Sequence, residues 1–382
     1  MEGSKKIHFH SFDAFRFFAF FKVFMFHLPL FAVTADLPFK SFFYDHIKHG
    51  GGVGVSFFFV LSGFLITYIL TYEKLNTNRI NLKRFFVRRA FRIWPLFYLV
   101  VIMALLIPTD FAQFIGFHTN WGGYDPDWRF SLTFTENYKS IIMDNGPRTT
   151  PLSVFWSLCI EEHFYILWMV VFFFIRRKVI PYFLIISVFA AWTMRIMEPA
   201  LFHNENVTTN ELFSNLDYFA ISGLLGYMVA TNYKSVEDFV MKIPFSFRIG
   251  YVAFILLVLY YQKALFLYDV WSLNIFKHTI FSLLFAGLLL IFIPKTSQLK
   301  VSETNIFTRL GKISYGLYVY HLIWIHLLVK IFRNNEIVLD NWLLFFGFAA
   351  ATLIATIITS YLSYHYFEMP ILKLRERFFP NN

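Results

Sequence analysis

The chain has 382 residues, of which 57% are hydrophobic and 15% charged, with 53 phenylalanines and a net charge of +10. That composition is too apolar for a soluble domain of this length, and the one cysteine, Cys159, excludes an internal disulfide or a multi-cysteine metal site. The positive charge does not point to nucleic acid, because it is concentrated in alternate connections between apolar stretches.

Ten stretches are long enough to cross a hydrocarbon layer of about 30 Å: residues 14–36, 53–72, 93–108, 154–175, 179–198, 215–231, 248–263, 275–294, 313–332 and 342–367. With a cytoplasmic amino terminus, the cytoplasmic connections hold most of the lysines and arginines, including Lys83, Arg84, Arg88, Arg89, Arg92, Arg176, Arg177 and Lys178. The positive-inside rule then places both termini in the cytoplasm of a multi-pass plasma (bacterial inner) membrane protein. The expected fold is all-α and polytopic, with no cleaved signal peptide because the first apolar run lacks a small-residue cleavage site. Residues 1–382 read as one transmembrane domain with no room for a second soluble one. The longest hydrophilic connection, 109–153, faces the opposite side and includes Asn120, Trp121, Tyr124, Asp125, Asp127 and Trp128. It is a candidate acceptor-side element, since aromatic and carboxylate groups suit sugars. An aromatic loop resting on lipid headgroups reads equally well.

In chain order, the first span carries Arg16 and His27. At about 100° and 1.5 Å per residue, eleven steps put both on one helix face roughly 16 Å apart. Ionisable groups in an apolar helix mark functional sites, and a histidine suits general-base work. The glycine-rich run Gly50 to Gly54 lacks the spacing of a dinucleotide fingerprint, and Ser62 and Gly63 beyond it read as helix-packing residues. Between spans two and three, Arg84, Arg88, Arg89 and Arg92 form the densest basic cluster. On a helix several of these guanidinium groups project from one side, where they suit the phosphates of a cytoplasmic donor or lipid headgroups. The fourth span carries Glu161, Glu162 and His163. By helical rise both carboxylates reach a depth comparable with His27, so either is a candidate to orient its imidazole. Asn215 and Asp217 open the sixth span, His321 sits two turns into the ninth, and Glu368-Met369-Pro370 closes the last.

These segments, in this order, resemble the membrane acyltransferase-3 family of bacterial O-acyltransferases. The matching pieces are Arg16 and His27 with Asp13 before them, Gly54 to Phe64, and Arg84 to Pro95. Ser157 to Tyr165, Leu310 to His321 and Glu368 to Pro370 complete the set. The resemblance implies His27 as the catalytic histidine, Arg16 as its companion, and Arg84, Arg88, Arg89 and Arg92 as a site for acyl-CoA, acetyl-CoA by default. Asp13, Ser62, Tyr165, Asp217, Tyr315, His321 and Glu368 are its supporting residues. No metal is implied, and no esterase-like domain is expected after the last span.

The implied reaction moves an acyl group to a hydroxyl of a carbohydrate, polysaccharide, lipid-linked sugar or glycoside. His27 acts as base toward that hydroxyl, and Arg16 meets either the donor or a developing oxyanion. A route through an acyl-enzyme stays open, as do the acceptor, its side of the membrane and the oligomeric state. Two alternatives compete: an exporter of lipid-linked sugars, which needs no basic phosphate cradle, and a non-catalytic scaffold on the same fold.

Overall fold

The computed structural model describes residues 7–31, 51–115, 126–142, 150–201, 206–265, 271–339 and 341–378, and no strand occurs among them. The expected stretch 32–36 and the whole Asn120 to Asp125 segment lie outside these residues. The helices that carry the rest of the account are α1 (His10–Phe31), α2 (Gly51–Thr77), α3 (Leu82–Leu106), α4 (Trp128–Leu132) and α5 (Glu136–Ile142). They continue with α6 (Phe155–Phe174), α7 (Ile180–Leu201), α8 (Leu216–Lys242), α9 (Phe245–Leu265) and α10 (Trp271–Phe292). The last three are α11 (Ser314–Asn334), α12 (Trp342–Ser363) and α13 (Met369–Phe378).

The chain is an all-helical, multi-pass membrane protein. Among the described residues, seven helical segments are long and apolar enough to cross a bilayer, and a bent pair raises the number to eight. That pair covers the sixth and seventh expected spans, α8 and α9, which meet at 91°. The cause is local: Pro244 offers no amide hydrogen and drives Ile243 out of the helical region to φ −71°, ψ 122°. Large apolar side chains such as Ile186, Phe247, Leu256 and Leu343 are exposed along the spans, an arrangement that lipid tolerates and water penalises.

Cα proximity divides the chain into two compact units. Unit 1 comprises Met1–Ala19, Gly52–Leu82 and Glu161–Gly311, and unit 2 comprises Phe20–Gly51, Lys83–Ile160 and Lys312–Asn382. In unit 1, α2 and α8 approach closely enough that a Cβ on Gly63 would strike the Phe219 carbonyl, and one on Gly226 would strike that of Phe64. Small residues permit this contact where no water drives helices together. Phe164 stacks on Phe219 with centroids 4.0 Å apart, and Trp168 donates to Thr67 at 3.0 Å. The carboxyl end of α6 is closed by Lys74, whose ammonium donates to the carbonyls of Phe172 (2.5 Å) and Ile175, a cation where the helix dipole favours one.

Unit 2 is built on aromatic stacking. Phe134 holds φ 56°, an uncommon backbone region for a bulky side chain, and its ring lies 3.9 Å from that of Phe97 at 18°. Trp94 and Tyr98 flank the same ring, and Tyr98 donates to the Leu132 carbonyl, so the α4–α5 segment is fastened to α3. Asp127 caps α4 and receives a bidentate pair of bonds from Arg129 at 3.1 and 2.7 Å. That guanidinium hydrogen bond holds the Asp127 carboxyl below its ordinary value. In the same unit α11 lies along α12, where Gly316 meets Ser360 and Trp324 donates to Thr359 at 2.9 Å. A π-helical turn, Tyr364–Glu368, joins α12 to α13, a distortion that often accompanies function.

Candidate functional site

The phenylalanine-rich sequence of α1 makes a wall for one histidine. Phe20, Phe24 and Leu28 are fully buried, while His27 on the same helix is only partly covered. His321, two turns into α11, has no exposed surface. The two imidazoles face each other with centroids 5.1 Å apart, and His321 Nε2 lies 3.1 Å from His27 Nδ1. The other nitrogen of His321, Nδ1, meets the Tyr318 carbonyl at 2.6 Å. Tyr318 is fixed in turn by its hydroxyl, 2.7 Å from Ser157 Oγ and 3.2 Å from the Val154 carbonyl. Phe20 packs edge-on against the His321 ring. His326, buried one turn further along α11, acts electrostatically on both histidines. This ring of contacts lies wholly in unit 2.

The arginine cluster belongs to the same unit. Arg84, Arg88 and Arg89 on the first turns of α3 are partly exposed, and Arg92 is exposed. The Arg89 guanidinium sits 5.6 Å over the Phe85 ring, and Phe86 meets Trp94 edge-on at 5.3 Å. Cationic forks interleaved with aromatic faces suit a ligand carrying both phosphates and a planar base. Tyr315 donates to the Ile93 carbonyl at 2.8 Å, tying the start of α11 to this helix. Glu368 is buried at the end of the π-helical turn, accepts from Ser363 at 3.2 Å and acts electrostatically on Arg92. Ser363 itself accepts from Tyr320 at 3.1 Å.

Unit 1 holds the other residues that the sequence singles out. Arg16 forms an ion pair with Asp13 one turn earlier on α1, so Asp13 is the counter-charge of this arginine. Ser62, Glu161 and Tyr165 form a triangle: Ser62 donates to Glu161 Oε1 at 3.2 Å, Tyr165 donates to Oε2 at 2.7 Å, and the two hydroxyls lie 3.3 Å apart. Glu162 is buried on the next position of α6. Ser62 thus does more than pack, while Gly63 has the packing role expected of it. Cys159, on the stretch of α6 that belongs to unit 2, is fully buried, as a packing residue would be.

Asp217 proves to be the centre of a network whose other members the sequence reading passed over. Arg195 of α7 grips its carboxylate with both guanidinium nitrogens, at 2.7 and 3.2 Å, and neither side chain is more than 2% exposed. Arg195 also donates to the carbonyls of Ile275 (2.8 Å) and Ser214. Thr279 donates to Asp217 at 2.7 Å and accepts from Trp192. The buried Glu198 accepts from Ser214 and Thr208. The neighbouring Glu211, buried and bonded to the Ser214 amide at 3.0 Å, is raised above the ordinary glutamate value by burial. His278 stacks under Tyr218 at 4.9 Å. A signal for this network was present, since Arg195 and Glu198 are one helical turn apart inside an apolar span.

These features define a polytopic membrane protein with a histidine pair and a basic helix in one unit. Comparison with known proteins gives the class. Residues 9–361 match the acyltransferase-3 family, described as an acyltransferase domain, and the chain belongs to that family. It is 35% identical over 124 residues to the peptidoglycan O-acetyltransferase OatA of Listeria monocytogenes, covering 31% of this chain and 19% of that protein. Over 147 residues it is 34% identical to "Putative peptidoglycan O-acetyltransferase YrhL" of Bacillus subtilis, covering 37% of this chain and 22% of the relative. A longer match, 26% over 351 residues, is to "Putative O-acetyltransferase SACOL0978" of Staphylococcus aureus, covering 85% of this chain and 53% of the relative. The chain therefore spans about half the length of that relative at most. No solved structure matches it.

Proposed function

We propose that this protein is a membrane O-acyltransferase that moves an acyl group, acetyl by default, from acyl-CoA to a hydroxyl of a carbohydrate acceptor. The observation that carries the proposal is the imidazole of His27, held at 3.1 Å by a second, fully buried imidazole on α11. An unoccupied structural histidine needs no such support, whereas a general base needs a fixed ring with one nitrogen turned toward substrate. The names of the relatives support an O-acetyl group and, for two of them, a peptidoglycan acceptor.

The donor binds through its phosphates to Arg84, Arg88, Arg89 and Arg92, whose exposure and aromatic neighbours fit that chemistry. Positive-inside topology puts this helix at the cytoplasmic face of the plasma membrane, where acyl-CoA is available. His27 takes the proton of the acceptor hydroxyl as its oxygen forms a bond to the thioester carbonyl carbon. The carbon–sulfur bond then breaks, and the thiolate recovers the proton from His27. Arg16, balanced by Asp13, supplies positive charge toward the donor or the developing oxyanion.

The test is transfer from labelled acetyl-CoA by purified protein in detergent, with peptidoglycan fragments and other glycans as acceptors. Loss of a general base lowers kcat by about a hundredfold or more. We expect that loss in His27→Ala with CoA binding intact, and weaker CoA binding in Arg89→Ala. Wild-type rates in His27→Ala would overturn the assignment and favour an exporter or scaffold.

A further inference from the structure

A carbonyl oxygen only accepts hydrogen bonds. The Tyr318 carbonyl at 2.6 Å from His321 Nδ1 therefore requires the proton of that ring to sit on Nδ1. In the neutral ring this leaves a lone pair on Nε2, and Nε2 faces His27 Nδ1 at 3.1 Å. Two lone pairs in that position would repel, so His27 Nδ1 must carry a hydrogen and donate it. The lone pair of neutral His27 is then confined to Nε2, the nitrogen on the far side of the ring from His321.

We infer that His321 is the positioning residue of the transfer reaction: it fixes the tautomer and orientation of His27 so that Nε2 is the base that takes the acceptor proton. This rests on the reading of His27 as general base given above. His321 does here what a carboxylate does in a hydrolase triad, but without a charge. The distinction matters inside a membrane, where a buried carboxylate with its desolvation cost is expensive. While His27 holds the acceptor proton on Nε2, its positive ring keeps donating from Nδ1 to the neutral His321. When the thiolate takes the proton back, both rings return to their starting tautomers. His321 keeps its own Nδ1 hydrogen throughout, locked on the Tyr318 carbonyl.

Three structural features keep His321 in this role. Its ring is fully buried, Phe20 packs on its face edge-on, and Tyr318 is anchored by Ser157 and Val154. The ring is enclosed on all sides by protein.

The test reads the tautomer directly. Protein labelled with 15N-histidine, in detergent, gives ring-nitrogen shifts that distinguish a protonated Nδ1 from a protonated Nε2, with the His27 signals assigned by their loss in His27→Ala. We expect wild-type His27 to carry its hydrogen on Nδ1, and to become a mixture of tautomers in His321→Leu. The same variant should lose kcat by about a hundredfold, the scale of a misdirected base, with the KM for acetyl-CoA within about twofold of wild type. His321→Gln, whose side-chain oxygen falls near the position of Nε2 and can accept from His27, should recover about tenfold of that loss. A wild-type His27 protonated on Nε2 would overturn the inference, whatever the variants do and even if His321→Leu does not fold. So would equal rates in the Leu and Gln variants when both fold. If instead the wild-type tautomer is as expected but His27→Ala transfers normally, the dyad exists and the general-base reading is what fails.

Discussion

Two buried polar clusters in this protein are built on opposite principles. In unit 1, Arg195 and Asp217 carry full charges, and the guanidinium is spent on the Asp217 carboxylate, two carbonyls and the His278 ring. In unit 2, His27 and His321 form a chain of two imidazoles that ends on the Tyr318 carbonyl. A buried ion pair bonded to several backbone and side-chain partners holds helices in place. A pair of imidazoles joined by one hydrogen bond contributes little to stability, and under the proposed function its role is chemical. Burial of a charge is therefore a poor guide to reactivity by itself.

The comparison predicts that damage to the first cluster is paid in stability and damage to the second in rate. Asp217→Ala leaves Arg195 buried without its partner and should cost about 3–5 kcal/mol, read as a lower unfolding midpoint in detergent. The double change Arg195→Met with Asp217→Leu should recover much of it. If His27→Ala lowers the midpoint as much as Asp217→Ala does, the contrast is wrong.

Unit 2 draws its stability from aromatic contacts, so Phe134→Ala should cost about 3 kcal/mol through the lost stack on Phe97. Phe134→Gly should be less harmful than Phe134→Ala by about 1 kcal/mol, since glycine accepts φ 56° without a Cβ penalty. The reverse order would mean that the backbone turn relaxes when the ring is removed.

Acidity separates the two units further. Glu211 is raised by burial, so the folded state holds its proton more tightly than the unfolded chain. The stabilisation is complete below the ordinary glutamate range and is lost as pH rises through the raised value. Unfolding midpoints measured across that window should fall with rising pH in wild type and stay flatter in Glu211→Gln. Asp127 behaves in the opposite sense. Its carboxyl is held low by Arg129, so the α4 cap is intact above the ordinary aspartate range and fails as pH falls through the lowered value. The effect is the smallest of the set, about 1 kcal/mol for Asp127→Ala, because the Arg129 side chain is exposed to solvent. Hydrogen exchange at the Arg129 amide, which donates to Asp127 at 2.9 Å, should rise on acidification.

Much of this architecture is legible in one dimension. Continuous apolar runs give most of the spans, because a bilayer imposes a length and forbids unpaired backbone, although ten were expected and seven or eight qualify among the described residues, α1 not among them. Pro244 lies between the sixth and seventh expected spans, yet a sequence gives no angle, and whether two apolar stretches cross separately or bend into a pair depends on what they pack against. Residues close in sequence could be related by helical periodicity, as Asp13 with Arg16, or Glu161 with Tyr165. Partners 22 or 294 positions apart, Arg195 with Asp217 and His27 with His321, could not.

The amino-acid sequence by itself determined that this is a helical membrane protein of the acyltransferase-3 family, with ionisable groups placed where they are too costly to be accidental. It determined that His27 is the histidine to watch, because its position on an apolar helix has no cheap explanation. The tertiary structure alone decided what each of these groups bonds to. A hydrogen bond is fixed by distances of a few tenths of an ångström between helices remote in sequence, and hydropathy reports burial without direction. For that reason the hydrogen-bond partner beside His27 in its own unit is an imidazole that spacing could only bring into the neighbourhood, and a fully buried ion pair involves an arginine that motif reading left aside.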